Sequence, residues 1–286
     1  VRPKLPVVLL NQASQKLLME LFERRDLLEG WYPIEKRIVR WSGEMRAMPH
    51  AALAVDEGKL FERLGMERGE GTGGYVVYGG KPLPEGVSEA SFGERVTSIA
   101  RVRLAERGAR ACWVEAVEDG WLFTTASDAE RGWLLSVGAS VEELLRQSVL
   151  MREVVGGVEE VVGGFASQPR IASALCGEGW IACGGAAMSF DPICGEGTGH
   201  ALREAILGCA VLKAHERGED WGELGRLYTE RLRGGFARHL ELCRLLYAKG
   251  GEGAWWKQQL TALGEFQAPV TESRYRLVDF DLVRVA

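Results

Sequence analysis

A mixed α/β fold is predicted for this chain of 286 residues, with an antiparallel sheet interleaved with a strand–turn–helix layer and a helical carboxy-terminal part. Three observations predict it. Residues 111–137 hold three β-prone runs separated by Glu118-Asp119-Gly120 and by the polar stretch 127–132, which is the pattern of hairpins in an antiparallel meander. Residues 179–205 read as a short apolar strand, a glycine-dense loop and the start of a long helix. Beyond residue 200, apolar residues recur at helical spacing as far as about residue 249.

Taken in order, residues 9–22 predict a helix capped by Ser14, with Leu17, Leu18, Leu21 and Phe22 as its apolar stripe. Residues 34–41 are strand-like, with Ile34, Val39 and Trp41 among charges. Asp56 caps a short helix over 56–65 that buries Leu60, Phe61 and Leu64 and ends at Gly65. A short strand over 75–78 lies between glycine pairs. After the meander, 141–155 predicts one helix with Glu142, Glu143 and Arg146 on its wet side. A buried strand over 179–183 leads through the loop 184–199 into a helix over 200–217, where Leu202, Ala205, Ile206, Cys209, Ala210 and Leu212 are spaced for burial. Two more helices follow, 221–232 and 236–249, and the glycines of 250–253 break the pattern. The tail carries Trp255-Trp256 and alternates polar with apolar over 274–285.

A net charge of −5 and a pI of about 5.6 give no electrostatic reason for a nucleic-acid partner. No apolar run reaches the roughly 18–20 residues that span a bilayer, so no membrane role is expected. Residues 1–11 carry Arg2, Lys4 and two prolines rather than a basic-then-apolar leader, and a cytoplasmic protein is expected. The chain opens on Val1, which fits either an alternative start or a cropped piece. Six cysteines, none in a C-x-x-C pair, are expected to be reduced thiols, and no metal site is expected from their spacing.

The segment Gly-Trp-Ile-Ala-Cys-Gly-Gly-Ala-Ala-Met-Ser-Phe-Asp-Pro-Ile-Cys-Gly-Glu-Gly-Thr-Gly-His, residues 179–200, carries the functional argument. Glycines let a backbone approach a ligand with no Cβ in the way. A helix starting near Thr198 or Gly199 offers unpaired N–H groups and a positive dipole end, which suit an electron-rich ring edge or an anion. The same glycines also serve a turn that only packs a helix on a strand.

In order and spacing this segment resembles the second FAD fingerprint of the p-hydroxybenzoate hydroxylase and flavin-dependent halogenase superfamily. That pattern is strand, Gly-Asp-Ala-Ala, spacer, Asp-Pro or Pro-Pro, glycines, long helix. Gly184, Gly185, Ala186 and Ala187 stand at the first motif, Asp191 and Pro192 at the second, and Gly195, Gly197, Thr198 and Gly199 at the glycine loop. The resemblance implies FAD as cofactor, with these residues along its ribityl chain and ring. It also implies a small organic substrate, and NAD(P)H or a flavin reductase as electron donor. Gly185 replaces the aspartate that holds the ribitol in that family. Gly120-Trp121-Leu122-Phe123 resembles the halogenase strand motif, but Thr124-Thr125-Ala126 follow it, which does not support a halogenase. Glu89-Ala90-Ser91-Phe92-Gly93, with Arg101 beyond, resembles the family's Asp-Ala-Ser-Gly-Arg stretch.

The family opens with strand, Gly-x-Gly-x-x-Gly, helix, and nothing like it precedes Gly30. The resemblance therefore implies that residues 1–286 by themselves bind FAD weakly or not at all. It divides the chain into a partial FAD/NAD(P)-binding Rossmann-like domain over 1–30, 51–105 and 171–250, an antiparallel substrate-type sheet over 31–50 and 106–170, and a tail over 251–286. The function implied is an FAD-dependent, monooxygenase-like oxidoreductase. The alternatives are a truncated non-catalytic remnant of such an enzyme, or a small-molecule binding module without flavin. Catalytic residues are not assigned. His200 is either a flavin or substrate contact or a plain helix-start residue, and Cys194 is either a redox group or a small filler. Trp121, Trp133, Trp255 and Trp256 either line an aromatic pocket or fill a core.

Overall fold

The computed structural model describes residues 6–65, 74–268 and 274–285. The chain begins with β1 (Val8–Asn11), α1 (Gln12–Phe22), β2 (Tyr32–Trp41), β3 (Glu44–Val55), α2 (Glu57–Leu64), β4 (Val76–Tyr78), β5 (Glu89–Ser91) and β6 (Val96–Leu104). It continues through β7 (Ala111–Val117), β8 (Gly120–Ala126), β9 (Arg131–Val137), α3 (Val141–Gln147), α4 (Met151–Val154), β10 (Val155–Ala166), β11 (Arg170–Ala172), β12 (Cys176–Gly177) and β13 (Trp180–Ala182). The remainder is β14 (Met188–Ser189), α5 (Gly197–Glu216), α6 (Trp221–Tyr247), α7 (Ala254–Ala262), β15 (Tyr275–Val278) and β16 (Asp281–Arg284). This is the mixed α/β class with a helical carboxy-terminal part that the sequence predicts.

Two compact units divide the chain. The first comprises Val1–Arg68, Gly93–Ser167 and Arg244–Ala262. Its eight strands form one sheet in the order β1-β3-β2-β7-β8-β9-β6-β10. The predicted meander is β7-β8-β9, antiparallel throughout, while β2 runs parallel to β7. The Asp119-Gly120 turn requires its glycine: Gly120 sits at φ +153°, and a Cβ there would lie 2.0 Å from the Val137 carbonyl oxygen. Ile38, Val102, Trp113, Leu122, Leu134 and Met151 centre the core, each contributing on the order of 1.5–3 kcal/mol by leaving water. Trp121 and Trp256 are core residues, not an open aromatic pocket. The Trp121 indole donates to the Tyr247 hydroxyl at 3.3 Å and that of Trp256 to the Val117 carbonyl at 2.8 Å.

The predicted helix over 141–155 is instead two, α3 and α4, and the cause is a distant residue. Glu115 on β7 is fully buried. Its carboxylate accepts the N–H groups of Val149, Leu150 and Met151 at 2.9–3.1 Å, the Ser148 hydroxyl, and an ion pair from Arg40 at 3.2 Å. Backbone donors turned onto a carboxylate cannot continue a helical ladder, so the chain breaks there and α4 restarts. Two smaller differences are local. Asn11, not Ser14, caps α1, accepting the Ser14 N–H at 2.9 Å. Phe61 points outward at 53% exposure, leaving Leu60 as the buried residue of α2.

The second unit comprises Gly69–Phe92, Gln168–Cys243 and Leu263–Ala286. It holds two three-stranded sheets, β14-β11-β5 and β12-β13-β4, and the hairpin β15-β16. β13 thus lies in a different sheet from the meander, and it pairs in parallel with β4. Where two helices are predicted over 221–249, α6 runs unbroken through Gly234 and Gly235. Each mid-helix glycine costs about 1 kcal/mol, and the buried stripe Leu224, Tyr228, Leu232, Phe236 and Leu240 outweighs that cost.

Candidate functional site

The glycine loop lies wholly in the second unit. β13 ends with Ala182 buried, and the Cys183 N–H still bonds the Tyr78 carbonyl at 2.8 Å. Gly184 then takes φ +52° and opens a 3-10 turn, Gly184–Ala186, that contains Gly185. Its N–H donates to Glu204 Oε2 on α5 at 2.8 Å. β14 returns beside β11, and Asp191 starts a second 3-10 turn, Pro192–Cys194. The Asp191 carboxylate accepts the Ile193 N–H at 3.0 Å, and its own N–H donates to His239 Nε2 at 2.9 Å. Gly195, at φ +64°, closes that turn. α5 begins at Gly197, so Gly197, Thr198 and Gly199 form its first turn. The side chain of Glu196, the residue before it, makes no capping bond; it faces His200 at 3.7 Å and Arg203 at 3.8 Å.

The eight residues singled out from sequence therefore follow one another along the strand end, two tight turns and a helix start. Asp191 has a defined task there, because it is buried and builds the turn. Tyr228 braces the strand end by donating to the Ala182 carbonyl at 2.6 Å. Beside the loop is a cavity of about 190 Å³ whose lining includes Phe190, His200, Arg203, Glu204, Arg231 and Arg238. His200 stacks on Phe190 with ring centroids 4.2 Å apart. Burial, then the cations Arg203 and Arg238, lower its pKa against the opposing effect of Glu196. Burial pushes the Glu204 carboxyl up to about 7, only partly offset by the Gly184 N–H and Arg203.

Glu204, His239, Cys243 and the arginines of the cavity were not picked out as site residues from the sequence. The available signal is weak: His239 and Cys243 stand four apart on a helix, and Glu204 falls on the inward side of α5. The fold also brings Cys194 to that pair, although nothing in their spacing along the chain foretells it.

No protein-family model and no curated protein matches this chain. Solved structures do match. QhpG, a peptidyl tryptophan dihydroxylase essential for tryptophylquinone cofactor biogenesis, aligns over 99% of this chain and 79% of its own with TM-score 0.69 and 18% identity. CmlS, a flavin-dependent halogenase, aligns over 95% of this chain with TM-score 0.75 and 12% identity, and this chain spans only 62% of its length. pqsL, a probable FAD-dependent monooxygenase from Pseudomonas aeruginosa, aligns over 92% of this chain and 90% of its own with TM-score 0.62 and 13% identity. At these identities the likeness is one of fold. Among the described residues no helix is long and apolar enough to cross a membrane.

Proposed function

We propose that this chain is an FAD-dependent oxidoreductase of the monooxygenase type acting on a small organic substrate. The observation that carries the reading is the start of α5. Its first turn, Gly197 to Gly199, has no side-chain cap from Glu196, and a Cβ at Gly197 would meet nothing within 4 Å. A bare helix start with open space before it fits the electron-rich edge of a flavin ring. Gly185 brings no carboxylate to the ribityl end, but Glu204 brings one to the same turn through Gly184. When bound, the flavin supplies the two-electron redox chemistry. Gly197, Thr198 and Gly199 present N–H groups to its ring, Pro192 and Gly195 shape the loop beside it, and Glu204 holds or yields a proton near neutral pH. NAD(P)H or a separate flavin reductase supplies the electrons in this proposal.

The contacts assigned to this loop are to ring and ribityl chain, not to pyrophosphate. Titration with FAD, FMN and riboflavin, followed by quenching of flavin fluorescence, should give weak but saturable binding, with no advantage to FAD from its pyrophosphate: affinities within about tenfold of one another, about 1.4 kcal/mol. No saturable binding of any flavin would overturn the proposal. A second reading, a flavin-free module for an anionic small molecule, draws on the cavity with Arg203, Arg231 and Arg238 in its lining. It is favoured if a carboxylate or phosphate compound, and no flavin, raises the melting temperature.

A further inference from the structure

His239 and Cys243 are four residues apart on α6 and so share one face of the helix. Cys243 Sγ lies 3.4 Å from His239 Nε2. Cys194, the last residue of the Pro192–Cys194 turn, completes the group: the three donor atoms all lie within 4.8 Å of one another. His239 and Cys243 are buried, at 5% and 0% exposure, and Cys194 is half-buried.

We propose that Cys194, His239 and Cys243 form a binding site for a zinc-class divalent ion. Two thiolates and an imidazole are the donor set of borderline-soft d¹⁰ ions, whereas calcium and magnesium take oxygen ligands. With Zn–S near 2.3 Å and Zn–N near 2.0 Å, donors around a tetrahedral ion stand roughly 3.5–3.8 Å apart. The Cys243–His239 pair, at 3.4 Å, is within about 0.1 Å of that separation, and the remaining ones need to close by no more than about 1.3 Å. The imidazole is in the required state. Nε2 accepts the Asp191 N–H at 2.9 Å, so it carries the lone pair and the ring proton sits on Nδ1, which is the neutral tautomer that ligates through Nε2. The turn bearing Cys194 is held by its own Asp191 cap and by Pro192, so that thiol is presented from a short, defined segment.

Loading forms two metal–sulfur bonds and one metal–nitrogen bond. Both thiol protons leave to solvent, and the Nε2 lone pair passes from the Asp191 N–H to the ion. Water takes the fourth position. The ion would tie the Asp191–Gly195 loop, which the flavin reading places beside the ring, to α6; because metal binding is read in flavin-free protein, its outcome is separate from that of the flavin reading.

The test is cobalt titration of the metal-depleted full chain. One equivalent should raise a thiolate-to-cobalt charge-transfer band and the visible bands of tetrahedral cobalt, zinc should bleach both, and zinc should raise the melting temperature. Cys194→Ala, on the half-buried turn, should abolish the charge-transfer increment from that thiolate. It should also weaken zinc binding about a hundredfold or more, the upper end of what even indirect partners of a metal ligand cost. Cys243→Ser tests the second thiolate, with circular dichroism to confirm that it folds, and Cys209→Ser, an exposed cysteine, should change nothing. The proposal is overturned by any of three results: no cobalt bands, cobalt spectra and zinc affinity of Cys194→Ala equal to the parent, or a Cys194–Cys243 disulfide as the state of the freshly purified protein.

Discussion

Among the described residues each unit buries one glutamate, and the two are treated in opposite ways. Glu115 in the first unit receives three backbone N–H groups, a hydroxyl and a guanidinium. Glu204 in the second, at 6% exposure, receives the Gly184 N–H from the loop, and burial pushes its carboxyl up to about 7. One glycine from each unit shows the same contrast. Gly120 in the first unit is hemmed in by backbone, whereas Gly197 in the second faces open space. A group whose partners are supplied by its own fold is architecture. A buried acid with little compensation, beside a backbone with room in front of it, is the arrangement expected where a ligand supplies what is missing.

The largest effect expected from this contrast is at Glu115. Glu115→Ala strands a set of buried donors and should cost about 3–5 kcal/mol, read as a fall in the urea midpoint. A loss under about 1 kcal/mol would mean that the carboxylate is not what divides α3 from α4.

Glu204 should behave in the opposite sense. Its folded-state pKa is raised from 4.5 to about 7. The stability contributed by the protonated form is therefore fully present below 4.5 and is lost as pH rises through about 7. Glu204→Gln mimics that form, so it should match the parent at pH ~4 and exceed it at pH ~8 by about 1–3 kcal/mol. Urea midpoints across that range decide it, and a difference that does not vary with pH would remove Glu204 from the comparison. Next in size is Gly120→Ala. Strain at this φ costs about 1–3 kcal/mol, to which the approach to the Val137 carbonyl adds, and the readout is the melting temperature.

The parts legible in the sequence are those set by short-range chemistry. The Asp119-Gly120 turn announces the meander, Asp56 and Gly65 delimit α2, and the glycine series announces a loop into a helix. What escaped is set by partners far along the chain. β3, β6 and β10 interleave apolar residues with charges such as Arg101, Arg103, Glu159 and Glu160, and only pairing across the sheet makes them strands. The break between α3 and α4 depends on Glu115, some 33–36 positions away. Gly234-Gly235 reads as a stop locally, but the buried stripe of α6 carries the helix through it. At the site, the loop residues were legible because their spacing is local. Glu204 and the Cys194, His239, Cys243 group were not, because α5 and α6 bring them in from elsewhere.

The contrast between the two glycines gives the most direct test of the flavin reading. Gly197→Ala puts a methyl group where the ring edge is proposed to lie, and it meets no protein atom within 4 Å. Flavin titration of the parent and this variant should show at least a tenfold loss of affinity, about 1.4 kcal/mol, with the melting temperature of the flavin-free protein unchanged. Equal flavin affinity in the two proteins would contradict the account, since the space before α5 would then not be where the flavin binds.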